Sequence, residues 1–280
     1  MTANPDWTPL LLRTNGVELF AFECDGAADL APVVLLHGAG GNALTWMTLA
    51  SAFNGRRTLL VDMPAHGRSP KLAGWNLEET ADAVARAVQH WLGDAAGIWG
   101  GHSWGGKVVG LVAARHPSLC RGLVLLDPSP SSAVPIPIED FVDGTWTAEL
   151  QSYATAQEAC DAARSQRHWQ PWTQETEAAQ RHGLAQRADS SWSLAPSRED
   201  LIDLATATLH CDASEALASA SAIATLLVIA DESSAWQAVT NMLVYGAATQ
   251  IVIPGNHWIH QCNPEAVSTA VQTWLDRNRL

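Results

Sequence analysis

The stretch Ile98-Trp99-Gly100-Gly101-His102-Ser103-Trp104-Gly105 sets a serine between glycines, directly after a short apolar run. Its last five residues fit the pattern G-x-S-x-G. Small and apolar residues follow at helical spacing (Gly106, Val109, Gly110, Ala113, Ala114) until Pro117, which disfavours helix at the residue before it. A strand, a tight turn and a helix are therefore expected, with Ser103 on the turn. Gly101 and Gly105 lack a Cβ, so backbone can pass close by and the Ser103 hydroxyl can project from the end of a sheet. The helix that follows would aim its N-terminal amides at a developing oxyanion.

Working outward, four apolar runs read as buried strands of a parallel sheet: Val33–Leu36, Thr58–Val61, Leu123–Leu126 and Leu226–Ile229. Weaker runs lie at Ile98–Trp99 and Gln250–Ile253, and Val17–Phe22 reads as an antiparallel edge strand. Helical spacing recurs in Ala81, Val84, Ala85, Val88 and Leu92. It recurs again in Val267, Ala270, Val271, Trp274 and Leu275, with Asn263 as N-cap and Pro264 in the first turn. Strands alternating with helices predict a doubly wound α/β sheet. The alternation breaks after Pro128, where a Pro/Ser-rich segment leads into helix-like pieces carrying Trp146, Trp169, Trp172 and Trp192. Residues 1–128 and 221–280 are thus expected to form the α/β core, and residues 129–220 a helical insertion.

Two further segments carry chemistry. His37-Gly38-Ala39-Gly40-Gly41 follows the Val33–Leu36 strand, and a glycine-rich strand end lets backbone N–H groups face a substrate oxygen. The N–H groups of Ala39 and Trp104 would together make an oxyanion hole. A phosphate-binding loop is the rival reading, but the spacing of a dinucleotide fingerprint and the Lys-Ser/Thr of a P-loop are both missing. Pro254-Gly255-Asn256-His257-Trp258-Ile259-His260 lies between the last strand and the last helix. A general base here would stand at the carboxyl edge of the sheet, where open α/β folds bind ligands. His257 is the candidate; His260 is expected in a pocket wall or a structural role.

Composition narrows the field. The chain has 280 residues and a formal net charge of −13. It has no basic stretch to track a phosphate backbone, which argues against a nucleic-acid partner. Five scattered cysteines form no C-x-x-C pair, so a metal site or redox dithiol has no support and a reducing, cytoplasmic setting is expected. The opening Met1-Thr2-Ala3-Asn4-Pro5-Asp6-Trp7 does not resemble a signal peptide, and no apolar run approaches a membrane span. Oligomeric state is left open.

The His37-Gly38 loop, the stretch Asp62-Met63-Pro64-Ala65-His66-Gly67-Arg68-Ser69, the Ser103 turn and the His257 segment occur in the order found in α/β-hydrolase-fold enzymes. The chain resembles that family over about two thirds of its length. The resemblance implies an eight-stranded, mostly parallel sheet flanked by helices, a nucleophile–acid–histidine triad, and a helical cap supplied by the insertion. It makes Asp62–Ser69 a structural turn, so neither Asp62 nor His66 is assigned to catalysis. Most members carry the triad acid after the strand that follows the cap. Here that slot falls on Ser233 or Ser234, which cannot serve; Asp231 or Glu232 would need a shifted loop. Members such as haloalkane dehalogenases and zearalenone-type lactonases carry the acid one strand earlier, a position matching Asp127, which is favoured.

Serine at position 103 argues against dehalogenation and epoxide opening, which use an aspartate nucleophile in that slot. It points to acyl transfer on a small-molecule ester, lactone, thioester or amide through an acyl-enzyme, with no metal or organic cofactor needed. Trp46, Trp104 and Trp258 adjoin these motifs in a chain with thirteen tryptophans, which suggests an apolar or aromatic substrate group. A C–C hydrolase or lyase on the same triad, or a non-catalytic receptor of the same fold, is the alternative.

Overall fold

The computed structural model describes residues 7–14, 16–53, 55–74, 76–166, 169–233 and 248–280. Its strands are β1 (Thr8–Thr14), β2 (Val17–Cys24), β3 (Val33–Leu36), β4 (Thr58–Val61), β5 (Gly97–His102), β6 (Cys120–Leu126), β7 (Leu184–Gln186), β8 (Trp192–Leu194), β9 (Thr225–Ala230) and β10 (Thr249–Ile253). Its helices are α1 (Leu77–Leu92), α2 (Trp104–Arg115), α3 (Ile138–Thr145), α4 (Ala156–Ala163), α5 (Gln174–His182), α6 (Arg198–Leu209), α7 (Ser214–Ser219), α8 (Ile259–Cys262) and α9 (Pro264–Asn278).

Eight strands form one sheet in the order β1-β2-β4-β3-β5-β6-β9-β10. From β4 to β10 every pairing is parallel, while β2 runs antiparallel to both β1 and β4. Apolar residues run without interruption through β3 and from Leu226 to Ala230 of β9 because both faces are covered. Alternate side chains go to opposite layers. Val34 and Leu36 join the core built on α1 and α2. Val33 and Leu35 join the core with Trp46, Phe53 and the α9 residues Val271 and Trp274.

Two local expectations need correction. The edge strand is β1, and Val17–Phe22 lies one place in, hydrogen-bonded on both sides. β1 escapes a hydrophobic reading because only one of its seven residues, Leu12, is buried. Asn263 precedes α9 but its side chain does not cap the helix; its Nδ2 donates to the Pro254 carbonyl at 3.0 Å. Ser234 lies outside the described residues.

Between β6 and β9 the chain forms α3 to α7 and the β7–β8 hairpin, which is separate from the central sheet. Lys107 of α2 ties this segment down: its buried Nζ donates to the Thr208 carbonyl at 2.8 Å and the Cys211 carbonyl at 2.9 Å. These carbonyls lie at and just beyond the C-terminal end of α6, where helix hydrogen bonding leaves acceptors without intrahelical donors. Burial pushes the Lys107 ammonium down to about 8.

Candidate active site

Ser103 stands between β5 and α2 with φ 51° and ψ −120°, a backbone conformation that costs a non-glycine residue on the order of 1–3 kcal/mol. The turn closes only because its flanking glycines are bare. A Cβ on Gly101 would collide with the Gly105 backbone, and one on Gly105 with the Leu36 and His37 carbonyls.

The strained turn aims Ser103 at the loop after β10. Ser103 Oγ lies 2.8 Å from His257 Nε2, and His257 Nδ1 lies 2.5 Å from Asp127 Oδ2. Asp127 follows β6 at φ 42° and is 1% exposed. An ionised carboxylate can only accept, so the proton sits on Nδ1 and the Nε2 lone pair faces the serine hydroxyl. Asp127 also accepts from the Ala230 amide at 3.3 Å and from the Ser233 hydroxyl. Ser233, in the slot where most relatives would carry the acid, therefore donates to the acid at the other strand end.

Asp231 and Glu232 are not bonded to His257. Asp231 Oδ1 instead accepts the Gly255 amide at 2.8 Å, and Glu232 is exposed on the wall of an outer cavity. Two contributors to the site carried no sequence signal. His102 Nε2 donates to the His257 carbonyl at 2.7 Å, holding the backbone of the histidine loop. Ser129 Oγ lies 3.5 Å from Ser103 Oγ, and its amide donates to the Ser103 carbonyl at 2.9 Å.

Ala39 and Trp104 line a cavity of about 70 Å³ beside Ser103, together with His257, Trp258 and Trp146. Gly40, at φ 73°, lets the Trp146 indole lie where a Cβ would collide with it. Trp46 does not reach this cavity. It is fully buried in the core, with its ring 5.1 Å from that of His260. Trp169 is likewise buried, with Nε1 donating to Glu149 at 3.2 Å, and Trp172 and Trp192 pack around Cys160 and Leu184. Of the four insertion tryptophans, Trp146 is the one at the cavity. His260 is fully buried and outside the cavity lining, 4.5 Å from the His102 ring.

The histidines around the glycine loop are structural. His37 Nε2 accepts the Met63 amide at 2.9 Å and His66 Nε2 accepts the Gly40 amide at 3.0 Å. Both Nδ1 atoms meet backbone carbonyls, so both rings are neutral with fixed tautomers. Asp62 accepts the Ala43 and Arg68 amides and pairs with His182. Burial pushes His37 down to about 3, His66 to about 4 and His260 to about 3. Burial, with His260 and His257 nearby, also holds His102 well below the usual imidazole range.

These four rings predict acid lability. Each binds a proton in the unfolded chain near pH 6.5 but not in the folded chain until lower pH. Stability is therefore fully present above about pH 6.5 and falls as pH drops below it. The limiting slope from His37, His66 and His260 together is about 4 kcal/mol per pH unit, and His102 adds to it in the same direction. Urea unfolding at about pH 7, 6 and 5 should show a midpoint dropping steeply between the last two. A flat midpoint across that range would mean that the folded protein accommodates these protons.

Among the described residues no group of three or more His, Cys, Asp or Glu side chains is placed to hold a metal ion. Among them, too, no helix is long and apolar enough to cross a membrane.

A family model described as alpha/beta hydrolase fold matches residues 31–259. Over 135 residues the chain is 34% identical to the sn-1-specific diacylglycerol lipase ABHD11 of Mus musculus, covering 47% of this chain and 41% of the relative. Over 107 residues it is 36% identical to the pimeloyl-[acyl-carrier protein] methyl ester esterase of Yersinia enterocolitica, covering 38% of each. The chain thus spans about two fifths of the length of the curated relatives it matches. The crystal structure of E-2-(acetamidomethylene)succinate hydrolase superposes with a TM-score of 0.81 at 22% identity, covering 97% of this chain and 100% of that one. At that identity the likeness shows the fold.

Proposed function

Because this chain belongs to the α/β-hydrolase fold family, we propose that it is a serine hydrolase that cleaves a carboxylic ester or lactone with an apolar or aromatic group, through an acyl-enzyme. The observation that carries this reading is the continuous relay from Ser103 Oγ to His257 Nε2 at 2.8 Å and from His257 Nδ1 to Asp127 Oδ2 at 2.5 Å. Matched relatives named as a lipase and an ester esterase support the same bond type.

The chemistry runs in two halves. Ser103 Oγ bonds to the acyl carbon while His257 Nε2 takes its proton. The carbonyl oxygen becomes an oxyanion facing the Ala39 and Trp104 N–H groups. On collapse the acyl–oxygen bond breaks, and His257 gives the proton to the leaving alcohol. A water then loses a proton to His257, attacks the acyl carbon and releases the acid, returning the proton to Ser103. Asp127 stays ionised, holding the tautomer and stabilising the imidazolium. The relay needs no metal or organic cofactor for these steps. In this reading residues 129–220 form a cap whose α3 and α6 wall the site. Among the described residues no two cysteines are joined in a disulfide, which supports a reducing, cytoplasmic setting.

The test is a fluorophosphonate probe followed by a panel of esters and lactones. Phosphonylation at Ser103 with turnover of p-nitrophenyl esters is expected. Folded protein that neither labels nor turns over any ester would overturn the proposal, and C–C cleavage of diketones without ester turnover would move it to the other reaction class.

A further inference from the structure

The space around Ser103 is divided in two. An inner cavity of about 70 Å³ is walled by Trp104, Trp146, Leu204 and Ala205, on the side of Ala39. An outer cavity of about 430 Å³ opens past Val134, Ile136, Glu232 and Ser233. Ser103, Ser129 and His257 line both, so the reacting atoms lie where the two meet.

The geometry points to a substrate built to match: a short, uncharged acyl group in the inner cavity and a bulky alcohol in the outer one. This rests on the ester-hydrolase reading above. The assignment of ends follows from proton transfer. The leaving oxygen must receive a proton from His257 Nε2, so it lies beside His257, and of the two cavities that His257 lines the outer one has room for a bulky alcohol. The acyl carbonyl oxygen must face Ala39 and Trp104, which border the inner cavity and not the outer one.

Size and charge then set the class. An apolar cavity of about 150 Å³ accepts benzene, so one half as large takes roughly two to four carbons. No Asp, Glu, Lys or Arg among the described residues lines the inner cavity. An acyl group bearing a carboxylate would lose its hydration there without a counter-charge.

Two ester series measured on the whole protein test this. With p-nitrophenol fixed as the alcohol, kcat/KM should peak between acetate and butanoate and fall about tenfold or more by octanoate, as a filled hydrophobic pocket discriminates. With acetate fixed, passing from ethyl to benzyl to naphthylmethyl alcohols should bring no comparable loss. Ala205→Leu, which fills the inner cavity, should suppress butanoate far more than acetate. Leu204→Ala, which enlarges it, should move the optimum to longer chains. Should either variant fail to fold, the two wild-type series still decide. Octanoate turned over as well as butanoate, or bulky alcohols penalised more than long acyl chains, would overturn the assignment while leaving the ester reading standing. No turnover of any ester would overturn both.

Discussion

Ser103→Ala is expected to lower kcat on esters by on the order of 10⁶, with the protein still folded. At about 1.4 kcal/mol per decade this amounts to about 8 kcal/mol of lost transition-state stabilisation. The loss is large because, among the described residues, no second nucleophile is in register. Ser129 Oγ lies 3.5 Å from Ser103 Oγ but shares no hydrogen bond with His257, whose Nε2 faces Ser103 at 2.8 Å. Removing one hydroxyl from a turn held at φ 51° leaves the backbone strain as it was, so the thermal midpoint should hardly change. Ser103→Gly, equally inactive, should be the more stable of the two, because glycine adopts positive φ without the steric cost. A Ser103→Ala protein retaining a tenth or more of wild-type kcat would move the nucleophile to Ser129, and a Ser129→Ala variant would then show the loss instead.

How much could be read from the chain follows from the range of the interaction involved. The strands Val33–Leu36 and Thr58–Val61 announce themselves because burial on both faces demands an unbroken apolar run, and the structure keeps both bounds unchanged. β1 is harder to read because its three leucines, Leu10 to Leu12, stand between Pro9 and Arg13 and only Leu12 is buried. The serine turn is legible because its strain is relieved locally by Gly101 and Gly105. By contrast, the bonds from His102 to His257 and from Ser233 to Asp127 join positions 155 and 106 residues apart, and no periodicity encodes such a pair. Trp46 shows the opposite error. It adjoins the glycine loop in sequence, yet the helical turn Ala43–Phe53 points it into the core below the sheet. Proximity along the chain is a weak guide to which wall of a cavity a side chain joins.

Asp127→Asn should cost on the order of 10⁴ in kcat while preserving the fold. Asparagine is the informative replacement because Asp127 sits at φ 42°, a left-handed region that Asp and Asn tolerate better than other side chains with a Cβ. It also keeps an oxygen for the Ala230 amide, which donates to Asp127 Oδ1 at 3.3 Å. With that oxygen in place, the amide nitrogen takes the position of Oδ2 and faces His257 Nδ1. Two donors cannot share a hydrogen bond, so the imidazole moves its proton to Nε2 and the lone pair that would accept from Ser103 is lost. Ser233 Oγ adapts, since a hydroxyl accepts as readily as it donates. Asp231→Asn and Glu232→Gln should each stay within about threefold of wild type, because neither carboxylate reaches the histidine, and an asparagine oxygen at 231 still accepts the Gly255 amide. Assaying the three variants together separates the possibilities. An Asp127→Asn enzyme retaining a tenth or more of its kcat, beside a Glu232→Gln or Asp231→Asn enzyme that loses 10⁴, would mean that the relay runs through the loop after β9. The reverse pattern would fix the acid at the end of β6, where Ser233 and Ala230 converge on its carboxylate.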